Sequence, residues 1–208
     1  MNIDLTKTLV VGIFSALLVG GSAVHAGGKA GGIKKSLEPS VDGVESVVVA
    51  IKSSPVVQVE DESGETSWQV DEVGTEAACV ALQIGMNLLM SELNNCDGDF
   101  VADMSPAADE VKLFLTLDGV RLAGPDILEA GEIPMCATPC GQVPLTGLLN
   151  AFASMPNSDV IVCPLCWNTR YGPCDPSNPA STCPNVGEVA GGVGIHDLFL
   201  YADKVIDF

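Results

Sequence analysis

Val160-Ile161-Val162-Cys163-Pro164-Leu165-Cys166-Trp167 is a short apolar run that stops at a Cys-x-x-Cys pair. It reads as a buried strand feeding a helix, in a chain whose other segments alternate between strand and helix patterns. Open α/β sheets bind ligands and do chemistry where strands end and helices begin. A thiol placed there meets the positive end of a helix dipole, which favours thiolate over thiol. Thiolate is the form that attacks disulfides, carries sulfur and binds metals.

Working outward, Val47-Val48-Val49-Ala50-Ile51 and Glu110-Val111-Lys112-Leu113-Phe114-Leu115-Thr116-Leu117 are two more apolar runs of strand length. The spacing predicts core strands over 47–51, 111–117 and 160–162. Val56-Val57-Gln58-Val59 and Thr66-Ser67-Trp68-Gln69-Val70 flank a Ser63-Gly64 turn and read as a loop or an exposed hairpin. Residues 75–93 carry an apolar stripe of helical period, Ala77, Val80, Ala81, Ile84, Leu88 and Met90, with Thr75 as a cap. Asn94 to Asp99 stops that helix. One helical turn is expected over 126–130, a second amphipathic helix over 145–155, a last helix over 195–202 and a closing strand over 204–208. Strands alternating with helices predict an α/β fold: a mainly parallel sheet with helices on both faces. One domain is expected over 44–208, with a Pro- and Cys-rich insertion at 172–185.

The first 26 residues have the form of a secretory signal peptide. Lys7 leads, an apolar stretch runs from Leu9 to Val19, and Val24-His25-Ala26 gives a small-x-small cleavage site before Gly27. That stretch falls short of the ~20 residues needed to span a bilayer. Residues 27–43, rich in Gly, Lys and Ser, read as a flexible segment. An exported chain is expected in the periplasm, where oxidation makes disulfides of cysteines. The net charge is −18 with nine basic residues, which argues against nucleic acid and, after signal cleavage, against anionic membrane as partners. The glycines at 191–194 are not followed by Lys-Ser or Lys-Thr, so a phosphate loop is excluded and no cofactor is called for.

Several pieces together resemble the DsrE/DsrF-like family, which includes the TusD-type sulfur-relay subunits. They are the helix 77–93 after the first strand, the Val111 to Val120 strand and Asp118-Gly119 turn, the Val162-Cys163-Pro164-Leu165-Cys166 strand end with Arg170 and Gly172, and the Ala202-Asp203-Lys204-Val205-Ile206-Asp207-Phe208 tail. The resemblance covers most of residues 46–208. It implies a flavodoxin-like three-layer sandwich, assembly as a homo-oligomer (trimer or hexamer), and sulfane sulfur carried as a persulfide on Cys163 or Cys166. Sulfur donor and acceptor proteins or small thiols would be the partners. Export, the cysteine-rich insertion, and Cys136 and Cys140 in the preceding loop depart from the family pattern.

Eight cysteines, Cys79, Cys96, Cys136, Cys140, Cys163, Cys166, Cys174 and Cys183, allow 105 full pairings. Cys163 is the expected nucleophile because it directly ends the strand, with Cys166 as its resolving partner. The alternative is a permanent disulfide in a non-catalytic binding or assembly module. Cys136, Cys140, Cys163 and Cys166 also match a four-thiolate metal site in ligand count. Cys174 and Cys183 suggest a loop-closing bridge. Cys79 is either a buried inert thiol or a partner for Cys96. His196 is a candidate base, or a cap or surface residue. Asp118 orients a thiol or caps a turn, and Trp167 shields the site or anchors the core.

Overall fold

The apolar run at 47–51 forms a strand because Val, Val, Val, Ala and Ile pack on both faces of a sheet. In the computed structural model of the chain, which describes residues 45–208, it is β1 (Ser46–Ile51), with every residue from Val47 to Ile51 buried. Its neighbours are β6 (Glu110–Leu115) on one side and β11 (Lys204–Asp207) on the other. Beyond β6 lie β9 (Ser158–Val162) and the short β10 (Glu188–Val189). The five strands run in the order β10-β9-β6-β1-β11, and every pairing is parallel. The expected α/β architecture with a parallel sheet is therefore the observed one.

Register aligns the strands in layers. Val49, Leu113 and Val160 stand side by side, and Ile51, Leu115 and Val162 form the last layer before the carboxyl edge. These side chains point to the larger core, which also contains Leu82, Leu149, Phe152 and Trp167. That core is roofed by α1 (Glu72–Leu89) and α3 (Leu145–Ala153). Gly85 lets the two helices meet: a Cβ there would stand 3.0 Å from the Phe152 ring. The alternate residues, Val48, Ala50 and Phe114, face a smaller cluster closed by Leu198 of α5 (Gly192–Leu200). Helices thus lie on both faces, as the period-2 burial of a central parallel strand requires.

Between β1 and α1 the chain makes the antiparallel hairpin β2 (Val56–Glu60) and β3 (Thr66–Val70), with Gln58 opposite Trp68. A 3-10 turn (Leu117–Leu122) and the single turn α2 (Asp126–Glu129) follow β6. α4 (Pro164–Tyr171) follows β9.

The expectations shift in places. The helix expected over 75–93 runs from Glu72 to Leu89, with Asp71 at its N-cap position. Thr75 is inside it and buried, its hydroxyl 3.2 Å from the Pro55 carbonyl oxygen. Residues after Leu89 turn into a second hairpin, β4 (Glu92–Asn94) with β5 (Phe100–Asp103). Asn95 organises the turn, its Oδ1 accepting from the Asp97 and Asp99 N–H groups. The irregular stretch before α3 holds a third hairpin, β7 (Met135–Thr138) with β8 (Gly141–Pro144). The strand expected to reach Leu117 ends at Leu115. The signal peptide and the segment 27–43 lie outside the described residues.

All eight cysteines are among the described residues. Cys79 is bonded to Cys136, Cys96 to Cys140 and Cys174 to Cys183. The bridge across the insertion is the one expected. Cys79 is neither inert nor joined to Cys96: it staples α1 to β7, with both sulfur-bearing residues buried. Cys96 and Cys140 are exposed and tie together the turns of two hairpins. Such bridges point to an oxidising, extracellular-type environment. Among the described residues, no helix is long and apolar enough to cross a membrane.

Loop-closure entropy orders the bridges. Cys79–Cys136 spans 57 residues and Cys174–Cys183 spans 9, so the first should contribute ~4 kcal/mol and the second ~2.5 kcal/mol. Urea unfolding of the Cys79→Ala/Cys136→Ala and Cys174→Ala/Cys183→Ala variants should show the larger loss of midpoint in the first. Equal losses would contradict this ranking.

Candidate functional site

At the carboxyl edge of the sheet the backbone continues one step beyond the last core layer. Thr116 N–H donates to the Ile51 carbonyl at 3.0 Å, and Cys163 N–H donates to the Leu115 carbonyl at 2.9 Å. This brings Lys52, Thr116 and Cys163 to neighbouring strand ends. Cys163 is the N-cap residue of α4, and Pro164 occupies the first turn, where its missing N–H is no loss. Cys166 then stands one turn into the helix, facing back toward the end of β6.

The two thiols of this motif are the free ones; the other six sulfurs are in disulfides. Both residues are half-buried. Leu117 N–H donates to Cys166 Sγ at 3.1 Å, and Thr116 Oγ1 lies 3.6 Å from the same sulfur. Leu117 adopts a positive φ of 51°, a region that costs a leucine about 1–2 kcal/mol. Gly119 supports that turn. Its N–H donates to the Lys52 and Thr116 carbonyls, both at 2.9 Å, and a Cβ there would collide with the Ile51 carbonyl oxygen at 2.1 Å.

Arg170 is four residues after Cys166, on the same helix face. Its Nη1 donates to the Cys166 carbonyl at 3.1 Å, and its Nη2 pairs with Asp118. Behind it, Arg121 pairs with buried Asp126 and approaches Asp118 at 3.8 Å, while stacking 4.7 Å over the Trp68 ring. Tyr171 O–H donates to Asp126 at 2.6 Å; burial and this carboxylate push the phenol well above its ordinary range. An open cleft of about 470 Å³ lies at the end of β1. Lys52, Ser53, Gln58, Trp68, Asp118 and Arg121 are among its lining residues.

The two thiols differ. Burial raises the Cys163 pKa, and its interaction with Cys166 adds to that. Burial also works against ionisation of Cys166, yet it is outweighed there. Hydrogen bonding from Cys163, from Thr116 and from Leu117 N–H, together with the charge of Arg170, lowers the Cys166 pKa below its ordinary value. The strand end makes Cys163 the expected nucleophile, while the Leu117 N–H, Thr116 and the Arg170 charge converge on Cys166. The resemblance already marks Arg170, and its helical spacing from Cys166 gives it a place beside that residue. Nothing in the composition marks the left-handed turn at Leu117.

Other expected residues fall elsewhere. Cys136 and Cys140 are consumed in disulfides, so a four-thiolate metal site with Cys163 and Cys166 is ruled out by covalent chemistry. Among the described residues no group of three or more His, Cys, Asp and Glu side chains is placed to hold a metal ion. Trp167 is a core anchor: fully buried, 4.4 Å from the Tyr171 ring, with Nε1 donating to the Thr182 carbonyl at 3.1 Å. That bond ties the insertion to the core. His196 is exposed on α5, 3.1 Å from Asp197. Asp118 reaches the arginine pair.

Comparison with known families finds no matching model, and comparisons with curated proteins and with solved structures find no match. The chemistry of the site rests on its own geometry.

A lower pKa means a larger thiolate fraction at neutral pH, and each unit corresponds to about tenfold in that fraction, or 1.4 kcal/mol. After mild reduction, iodoacetamide at pH 7 should therefore modify Cys166 ahead of Cys163. The Cys166 rate should level off at lower pH than that of an unfolded cysteine. Peptide mapping that finds Cys163 modified first would reverse this assignment.

Proposed function

We propose that the protein handles sulfur in an oxidising compartment outside the cytoplasm, as a periplasmic persulfide carrier or sulfurtransferase. The observation that carries this reading is the division of the cysteines. Six are joined in bridges, while two remain free at the carboxyl end of a parallel sheet, one beside a guanidinium and a strained backbone N–H. A structural thiol needs neither feature.

In the proposed step, Cys166 thiolate attacks the outer sulfur of a donor persulfide, R–S–SH. The donor S–S bond breaks and R–S⁻ leaves with the electron pair, giving Cys166–S–SH. The sulfur then passes to an acceptor thiolate. Alternatively, Cys163 thiolate attacks the inner sulfur, closing a Cys163–Cys166 disulfide and releasing HS⁻. Donor and acceptor proteins, or small thiols, are the proposed partners.

The order of strands, helices and motif supports kinship with the DsrE/DsrF-like family as an exported member, and with it a trimer or hexamer. Exposed Val193, Leu200 and Tyr201 on and just after α5 are in keeping with assembly. The signal peptide, with maturation at Gly27, belongs to the same proposal.

Incubation of the reduced protein with a small organic persulfide should add about 32 Da, lost on reduction. Cys166→Ser should cut loading at least tenfold, while Cys163→Ser should load and hold the sulfur longer. If Cys166→Ser loads like the parent, the site is elsewhere. If no form loads, a non-catalytic, disulfide-stabilised binding module replaces this reading.

A further inference from the structure

Asp118 pairs with an arginine of the thiol site and also lines the cleft at the end of β1. On one side it pairs with Arg170 of α4, and on the other it lies 3.8 Å from Nε of Arg121, which lines the cleft. Arg170 depends on it heavily. Its Nη1 is committed to the Cys166 carbonyl, and its Nε is buried without a hydrogen-bond partner. Nη2 to Asp118 is thus the contact that joins the guanidinium to a different element of the fold. Asp118 itself is more than half exposed and sits in the turn that also supplies the Leu117 N–H to Cys166.

We propose that Asp118 is a positioning residue, which sets the reactivity of Cys166 by holding the Arg170 guanidinium against the first turn of α4. The inference rests on the reading of Cys166 as the reactive thiol. The groups facing that sulfur are the Cys163 thiol from the strand end, Thr116 and the Leu117 N–H from the turn after β6, and Arg170 from its own helix. Asp118 and Arg121 form the next layer. Within this set Asp118 has two opposite effects. Its negative charge offsets the arginine and disfavours thiolate. Its hydrogen bond fixes the arginine where thiolate is favoured.

Two substitutions separate these effects. Asp118→Asn keeps an oxygen acceptor for Arg170 and removes the charge. Asp118→Ala removes both. The experiment is the pH profile of Cys166 alkylation by iodoacetamide, with peptide mapping, in the reduced full chain and in Asp118→Asn, Asp118→Ala and Arg170→Gln. The same two Asp118 variants are also made on an Arg170→Gln background. Thermal melts check that each is folded, as the exposure of Asp118 leads one to expect.

Asp118→Asn should move the midpoint about half a pH unit toward acid, the size set by one exposed charge several ångströms away. Asp118→Ala should lie on the alkaline side of Asp118→Asn, because Arg170 is released. Arg170→Gln should move the midpoint toward alkali and erase the difference between the two Asp118 variants. Coincident profiles for Asp118→Asn and Asp118→Ala would overturn the positioning role, as would a difference that survives in Arg170→Gln. A parent Cys166 that titrates like an unfolded cysteine would instead overturn the reading of Cys166 as the reactive thiol.

Discussion

The parallel pairing of β6 with β9, which sets Leu115 beside Val162, determines where both free thiols stand. One residue later on each strand the chain leaves the sheet, as Thr116 and as Cys163. The turn after β6 and the first turn of α4 therefore start level with each other. Leu117 N–H reaches Cys166 because of that level start. A slip of β9 by one residue against β6 would send Val160 and Val162 to the opposite face and separate the thiol from its donor. The register is held by burial: Leu113, Leu115 and Val162 are fully buried against α1, α3 and Trp167. The site's geometry is in this sense a product of the core beneath it.

The core was largely legible in the sequence. Runs of β-branched and apolar residues at 47–51, 111–115 and 160–162 have few alternatives to a buried parallel strand, and the turn at Ser63-Gly64 marked the β2–β3 hairpin. The two later hairpins were not legible. β5 is exposed at all four residues and so carries no alternation, and the turn at Asn95 to Gly98 looks the same in sequence as a helix stop. Likewise Cys79 and Cys136 come together through the packing of α1 on β7, a distant contact that spacing along the chain does not encode. At the site, the position of the Cys-x-x-Cys pair was readable from the strand end. The relative acidity of its two thiols was not, since it depends on Leu117 N–H and Arg170 acting on one sulfur and not the other.

The eight cysteines fall into two sets, six in disulfides and two free. Cys79–Cys136 links the helical roof to a hairpin, Cys96–Cys140 links two exposed turns, and Cys174–Cys183 closes the insertion that Trp167 anchors. Each bridge constrains a segment that the parallel sheet does not itself hold. The remaining pair lies where strand ends, a helix start and a guanidinium converge, the setting that makes a thiol reactive. A reactive thiol, if it is to persist in an oxidising compartment, requires that the six bridged sulfurs choose one another, as they do here.

That partition is the central claim, and a peptide map of the native protein under non-reducing conditions, with free thiols blocked before digestion, tests it most directly. The account predicts Cys79 linked to Cys136, Cys96 to Cys140 and Cys174 to Cys183. It also predicts that Cys163 and Cys166 are blocked as thiols, persulfidated, or joined only to each other in a bond that mild reductant opens first. A bridge from Cys163 or Cys166 to any of the other six cysteines would contradict it.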